Sequence, residues 1–382
     1  MKLENKQIGI IGGGPGGLTL ARLLQLSGAT VQVYERDIHP NVRVQGATLD
    51  LHEESGLAAL KRAGLTAAFY QHHRPEAGKL RITDKHTTIF LDDHASDQGY
   101  TEQRPEIDRG PLRKILLDSL HPQTVVWDSQ FATMQPHGDG WMIHFKNGTS
   151  AYADLVVAAD GANSQVRPYI NDIKPIYSGI TIVEGNVYQA ETNVPELYKL
   201  VKGGKLFAFG DQQSLILSAK GDGSLSFYTG CKLPETWETT SGISFHDIPQ
   251  VYAWFKQQFS SWDKQWQELF QGKDLWCICR PQYHYPIDQT WTSLPNLTMI
   301  GDAAHRMPPY AGEGVNMAMQ DALELADCLI SNHFQNIHDA IAHFEGQMLS
   351  RTADITLMTL ENTEMLHAED AIEKMMAMMQ GE

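Results

Sequence analysis

A chain of 382 residues has room for two domains or one large one, and 42% hydrophobic with 20% charged residues is an ordinary soluble composition. A formal charge of −16 with no compensating Lys/Arg block argues against a nucleic-acid partner, and no apolar run approaches the roughly 18 residues a membrane-spanning helix needs. Four cysteines in a chain this long do not form a disulfide framework and suit a reducing cytoplasm.

The first element is an apolar run at Ile8, Ile10 and Ile11, which breaks into Gly12-Gly13-Gly14-Pro15-Gly16-Gly17. Residues 18–24 then take up helical periodicity, so the order is strand, tight turn, helix. Gly12 permits the turn, Gly14 lets the backbone approach a pyrophosphate, and Gly17 allows the helix to pack closely on the strand. The helix N-terminus supplies unpaired N–H groups and a partial positive charge. A second apolar run, residues 30–34, ends at Glu35, whose carboxylate would accept hydrogen bonds from a ribose. It favours a free 2′-hydroxyl over a 2′-phosphate, hence FAD or NAD over NADP. The bland alternative is a glycine turn with no ligand.

A polar loop through Pro40 and Asn41 leads to a short extended stretch at 46–52 and a helix over about 53–63, capped by Gly64. Arg43 and Asp50 lie close in sequence to the nucleotide turn, where surface charge is the default reading. Residues 80–91 form a hairpin, and Asp108 is a plausible N-cap for a helix that runs to Leu120. Strands follow at 125–127 and 141–145, with a hairpin turn at 146–149.

The second motif is a buried strand ending in Asp160-Gly161, followed by Ser164-Gln165-Val166-Arg167. From about 173 to 273, short alternating strands separated by Gly/Asn/Asp turns predict a mostly antiparallel sheet with one face toward a ligand. An aromatic, helical stretch carries Trp237, Trp254, Trp262 and Trp266. Cys277 and Cys279 alternate onto one face of a strand without a second Cys/His pair, which makes them buried thiols rather than zinc ligands. In the third motif, a strand ends at Gly301-Asp302, a Pro-Pro loop follows, and a glycine turn opens an amphipathic helix near Val315. A Met-rich helix, or a broken pair, occupies about 337–380. Its methionines are soft packing material, or else a cover over a ligand.

These three motifs in this order resemble the single-component, class A FAD-dependent aromatic hydroxylases of the para-hydroxybenzoate hydroxylase fold. Within that group, residues 48–52, 115–120 and 299–309 look most like the TetX-type tetracycline-inactivating monooxygenases. The resemblance implies an α/β fold with a Rossmann-like FAD-binding domain at 1–75, 103–172 and 275–335. Into it is inserted a mostly antiparallel substrate sheet at 76–102 and 173–274, and 336–382 forms a long C-terminal helix. By resemblance, Gly12, Gly14, Glu35 and Arg36 hold the adenosine diphosphate part of FAD beside the packing glycine Gly17. Asp302 takes the ribityl or pyrophosphate portion, and Asp50 and Arg109 match flavin-binding positions. Gly312, Glu313, Gly314, Val315 and Asn316 place backbone N–H groups at the N1–C2=O edge of the isoalloxazine, and Pro309 lies over one ring face. Arg43 matches a position that meets NADPH, and Asp160-Gly161 supports both flavin and NADPH contacts. The TetX branch often lacks that aspartate.

The implied reaction has NADPH or NADH reduce FAD, after which O₂ forms a flavin C4a-hydroperoxide that hydroxylates an electron-rich aromatic or enolic carbon. It needs no metal and no nucleophilic side chain. His305, near the flavin loop, is either a proton-transfer group or structural. Where the TetX type holds tetracycline with Gln, Arg and His, this chain has Glu184, Lys205 and Ser226. Those departures separate the expected fold and chemistry from the expected substrate. The rival readings are a flavin reductase on the same fold and a non-catalytic flavoprotein that binds a ligand through its sheet. The remaining expectations are a cytoplasmic monomer acting on a small molecule.

Overall fold

In the computed structural model, residues 3–41, 46–95 and 104–380 are described; Arg43 lies outside them. The nucleotide half is a five-stranded parallel sheet in the order Leu297–Met299, Leu155–Ala158, Gln7–Ile11, Thr30–Tyr34, Val125–Val126. Its central strand is apolar on both faces because both are covered, as parallel sheets require. Ile8, Ile10 and Ile11 are buried against Leu18, Leu24, Val33, Val157, Leu325 and Phe344. The helix Pro15–Leu26 covers one face, and a three-stranded antiparallel meander (Phe131–His137, Gly140–Phe145, Ser150–Ala153) packs its Ile143 and Phe145 into the same core.

The second sheet has seven strands. Their order is Leu275–His284, Ile176–Val187, Leu225–Lys232, Gln213–Ala219, Lys205–Gly210, Leu80–Asp84, Ile89–Asp92. All pairings are antiparallel except Lys205–Gly210 with Leu80–Asp84. The period-two pattern divides its faces. Val183, Leu206, Ala208, Leu215, Leu217, Phe227 and Cys277 bury one face under the aromatic helices that carry Trp254, Phe255 and Trp266. The other face carries Glu184, Asn186, Lys205, Phe207, Ile216, Ser218, Ser226 and Tyr228, by register Lys205↔Ser218↔Ser226↔Asn186 and Phe207↔Ile216↔Tyr228↔Glu184. The three substrate positions expected from sequence therefore share that face. Among the described residues no cysteine is in a disulfide and all four are buried, with burial pushing the Cys277 and Cys279 thiols up to about 12.

The C-terminal segment is a broken pair, Ile337–Leu366 and Ala371–Gln380. The long helix sends Phe344 and Met348 into the nucleotide core and then presents buried Thr352, Thr356, Thr359 and Thr363. Met375 of the short helix packs against Ile82, Phe209 and Leu366. Most of the Met-rich end serves as packing, although Met378 and Met379 stay exposed.

Candidate flavin site and substrate face

Three strand ends of the parallel sheet meet at one edge, where ligands of open α/β sheets bind. At the first, Gly12 has φ +113°, and a Cβ there would lie 2.2 Å from the Ala159 oxygen. A Cβ on Gly17 would lie 2.2 Å from the Gly12 oxygen, so helix and strand tolerate no side chain between them. Around Gly14 there is open space. The turn and helix-packing roles expected from sequence fall on Gly12 and Gly17, and the open space at Gly14 leaves room for the ligand approach expected there. Glu35 is buried and accepts hydrogen bonds from the Gly13 N–H at 2.6 Å and the Asp37 N–H at 3.0 Å. Its carboxylate is thus fixed beside the glycine turn by backbone donors. Arg36 is exposed next to it.

At the second strand end, Asp160 Oδ2 accepts from the Gln165 N–H at 2.8 Å, while buried Oδ1 has no partner among the described residues. Burial pushes this carboxyl above its usual value. A buried acceptor without a donor is costly, so Oδ1 marks a place for a ligand hydroxyl. The third strand end turns through Gly301 (φ +61°) to Asp302, whose side chain is exposed in a recess and receives no hydrogen bond from another described residue. Surrounding protein raises its carboxyl, against the pull of His305, Arg306 and Arg109. Solvent reaching the exposed oxygens offsets part of that rise.

Arg167, the last residue of the second motif, joins the second and third strand ends. Its guanidinium donates to Ala303 O at 2.9 Å, Ala304 O at 2.8 Å and Gln289 Oε1 at 2.7 Å, and stacks 3.5 Å over the Tyr285 ring. Burial lowers it to about 10. His305 is likewise a structural group. It is 2% exposed and bonds Asp321 Oδ2 at 2.6 Å, while Asp321 also accepts from the Gly301 N–H at 2.8 Å and from Arg351 at 2.5 Å. Burial opposes ionisation of Asp321, but His305 and Arg351 outweigh it and hold the carboxyl below its usual value.

The Pro309–Ala311 turn leads through Gly312 (φ +71°) into the helix Gly314–Ile330. Glu313 sits at the N-cap without capping, which leaves the N–H groups of Gly314, Val315 and Asn316 as the unpaired first turn. The Asn316 side chain is committed elsewhere: Oδ1 accepts from the His52 N–H at 3.0 Å and Nδ2 donates to Asp50 O at 2.9 Å. Only its backbone is free for a ligand.

Asp50 contacts His52 Nε2 at 3.2 Å and lies 3.8 Å from Arg104. Burial opposes its ionisation, yet His52 and Lys205 hold it below the usual carboxylate value. Arg109 is exposed and donates to Ala47 O at 3.2 Å, and the Ala47 N–H donates to the Tyr228 hydroxyl at 3.2 Å. This short bridge ties the sheet face to Ala47 and Arg109 of the nucleotide half. Asp108 occupies the expected N-cap position, but its carboxylate is drawn off by Gly221 N–H at 2.9 Å and by Arg74. The tertiary partner outcompetes the local cap.

The substrate positions are individually satisfied. Glu184, 6% exposed, accepts from Arg280 Nε at 2.5 Å, and Lys205 pairs with buried Glu106. Burial works against the Lys205 charge, but Glu106 and Asp50 outweigh it and hold the ammonium above its ordinary value. Ser226 is buried and donates weakly to Ser218 O at 3.4 Å. Sequence reasoning missed Arg280, Glu106 and Tyr228, because their roles come from cross-strand register and long-range packing. It quoted Arg167 without a role, although its place closing the Asp-Gly-x-x-Ser-x-Val-Arg run was the available signal.

Comparison with known proteins agrees with this geometry. The FAD binding domain family matches residues 5–237 and 292–334, well over half the chain. The chain is similar to monooxygenase asqM of Emericella nidulans, 28% identical over 98% of this chain and 94% of that protein. In structure it is similar to Klebsiella pneumoniae HpxO complexed with FAD and uric acid, with a TM-score of 0.77 at 21% identity over 99% and 93% of the two chains. It is also similar to the tetracycline destructase Tet(55), with a TM-score of 0.78 at 18% identity over 100% and 96%. The family resemblance is therefore broad and not specific to the TetX type. The open space at Gly14, the orphan Asp160 oxygen, the unpartnered Asp302 and the free first turn at Gly314 all suit FAD.

Proposed function

We propose that this chain, which belongs to the FAD binding domain family and is an FAD-dependent monooxygenase, hydroxylates a small, uncharged aromatic or enolic molecule at the expense of NADPH or NADH. The observation that carries the reading is the Tyr228–Ala47–Arg109 bridge, which ties the sheet face to Arg109, one of the positions expected to meet the flavin. FAD, when bound, supplies the oxygen-activating chemistry.

The protein's own groups bind and orient. Phe207, Ile216 and Tyr228, all half-buried, form an apolar row across the sheet that suits a flat ring. Glu184 and Lys205 bracket that row but are already neutralised by Arg280 and Glu106, so a fixed charge on the substrate would find no free counter-charge there. The Tyr228 hydroxyl, held by Ala47, remains able to donate to a substrate oxygen. The free N–H groups of the Gly314–Asn316 turn favour negative charge where the reduced cofactor would carry it. Tetracycline, the substrate suggested by the TetX resemblance, is enolic but carries charge at neutral pH, so it fits this row less well than an uncharged ring.

The test is oxygen uptake by the FAD-loaded protein with NADPH or NADH across a panel of phenols, hydroxylated heteroaromatics and a tetracycline. Substrate-dependent uptake with a product one oxygen heavier supports the reading. If only the tetracycline is modified, the TetX-type activity follows. Reduction of the flavin without any oxygenated product across the panel defeats it in favour of a reductase.

A further inference from the structure

A line of ionisable side chains runs from the substrate face to the flavin loop, and the reaction outlined above uses none of its middle members. It begins at Lys205 and Glu106, continues through Asp50 and His52, and ends at Glu313, one residue before the free helix turn. His52 is 4% exposed and faced by a carboxylate on each ring nitrogen. Asp50 Oδ2 lies 3.2 Å from Nε2 and Glu313 Oε1 3.5 Å from Nδ1. The backbone that carries the ring is fixed, because the His52 N–H is tied to Asn316 Oδ1 and the Asp50 carbonyl accepts from Asn316 Nδ2. One asparagine in the helix's first turn thus clamps both ends of the Asp50–His52 segment against the flavin loop.

Asp50, held below its usual value by His52 and Lys205, lies against Nε2 and favours the tautomer with its proton there. Nδ1 then faces a carboxyl that burial pushes upward. Two acceptors facing each other in a dry site repel, which makes the gap between them a ready place for an incoming proton. Among the described residues the other charged groups around the pair are Glu54 and Arg104 near Glu313, and Lys205, Glu106 and Arg104 near Asp50.

We propose that Glu313, faced by His52 Nδ1, is a one-proton site that compensates the negative charge gained by the flavin on reduction; this rests on the reading that the Gly312–Asn316 turn holds the flavin's N1–C2=O edge. Hydride transfer brings two electrons and one proton to the isoalloxazine and leaves one negative charge at that edge. One further proton, taken from solvent, would join the Glu313 carboxylate beside Nδ1, so the net charge of the loop region would be the same before and after reduction. His52 acts through Glu313 as a positioning residue, facing its carboxyl at 3.5 Å.

The midpoint potential of bound FAD, measured from about pH 5 to about pH 9, tests this without any turnover. In the native protein part of that range should show uptake of one proton more per two electrons than in His52→Gln or Glu313→Gln, each of which keeps a hydrogen-bonding side chain. Gly314→Asp, which puts a carboxylate at the free N–H groups, should lower the potential at every pH. If both neutral variants keep the native slope while Gly314→Asp shifts the potential, the proton site is wrong and the loop assignment stands. If Gly314→Asp is silent as well, the loop does not face the flavin edge, and both readings fall.

Discussion

The nucleotide edge and the substrate sheet solve the same problem, holding charge in a dry interior, in opposite ways. At the nucleotide edge the carboxylates of Glu35 and Asp160 are held by backbone N–H groups close in sequence or on the neighbouring strand end. On the sheet, Glu184 and Lys205 are held by Arg280 and Glu106, which lie 96 and 99 residues away. A site made of backbone depends on conformation and can be spelled in a short motif. A site made of side-chain pairs depends on register, and each charge can be removed only with its partner.

The contrast can be broken most forcefully at Gly12. Gly12→Ala combines a left-handed φ with a 2.2 Å approach to the Ala159 oxygen, so a cost of about 3 kcal/mol or more is expected. Purified protein should stay colourless after incubation with FAD. On the sheet, Lys205→Met leaves Glu106, 2% exposed, without its counter-charge, at about 3–5 kcal/mol in urea unfolding. Adding Glu106→Leu should restore most of that loss, a rescue that has no counterpart at Gly12.

The next effect is set by pH. His367 donates through Nδ1 to Thr363 O at 2.7 Å and receives Ser214 at 3.1 Å, and burial lowers it from 6.5 to about 4. The folded state keeps it neutral, while the unfolded chain protonates it below its ordinary value. Its contribution is therefore intact above about pH 6.5 and is lost as the pH falls toward 4, by roughly 3 kcal/mol in all. His367→Gln should flatten that part of the stability–pH curve. Smaller again, Glu35→Gln removes a charged acceptor from Gly13 and should weaken FAD binding by about tenfold to a hundredfold, read by fluorescence titration. Smallest is Arg62→Ala, which breaks a 3.3 Å pair with Asp327 between half-exposed side chains, and thermal unfolding should register no more than about 0.5 kcal/mol.

The same contrast explains what could be read from the sequence. Strand, turn and helix at 7–26 were legible because φ sign and steric overlap confine the choice to glycine. The sheet's alternation was legible because one face is covered by helices. The pairing of Glu184 with Arg280 was not, since nothing local to either residue says that their strands are neighbours. Asp108 misled for the same reason: an aspartate before a helix is a good local cap until a distant Gly221 N–H competes for it. His305 stands beside the flavin loop in sequence, yet its partner is buried Asp321 on the following helix, and only the packing of that helix assigns it to structure.

The guanidinium of Arg167 has a consequence for how the protein is made. It ties the Asp160 strand end to Ala303 and Ala304, and the strand at Leu297–Met299 completes the sheet beside Leu155–Ala158. The glycine turn leaves the ribosome early, but the edge it belongs to closes only once residues past 304 have emerged. Cofactor capture is therefore a late event in the life of the nascent chain, and fragments that stop short of this point should carry the nucleotide motif without holding the nucleotide.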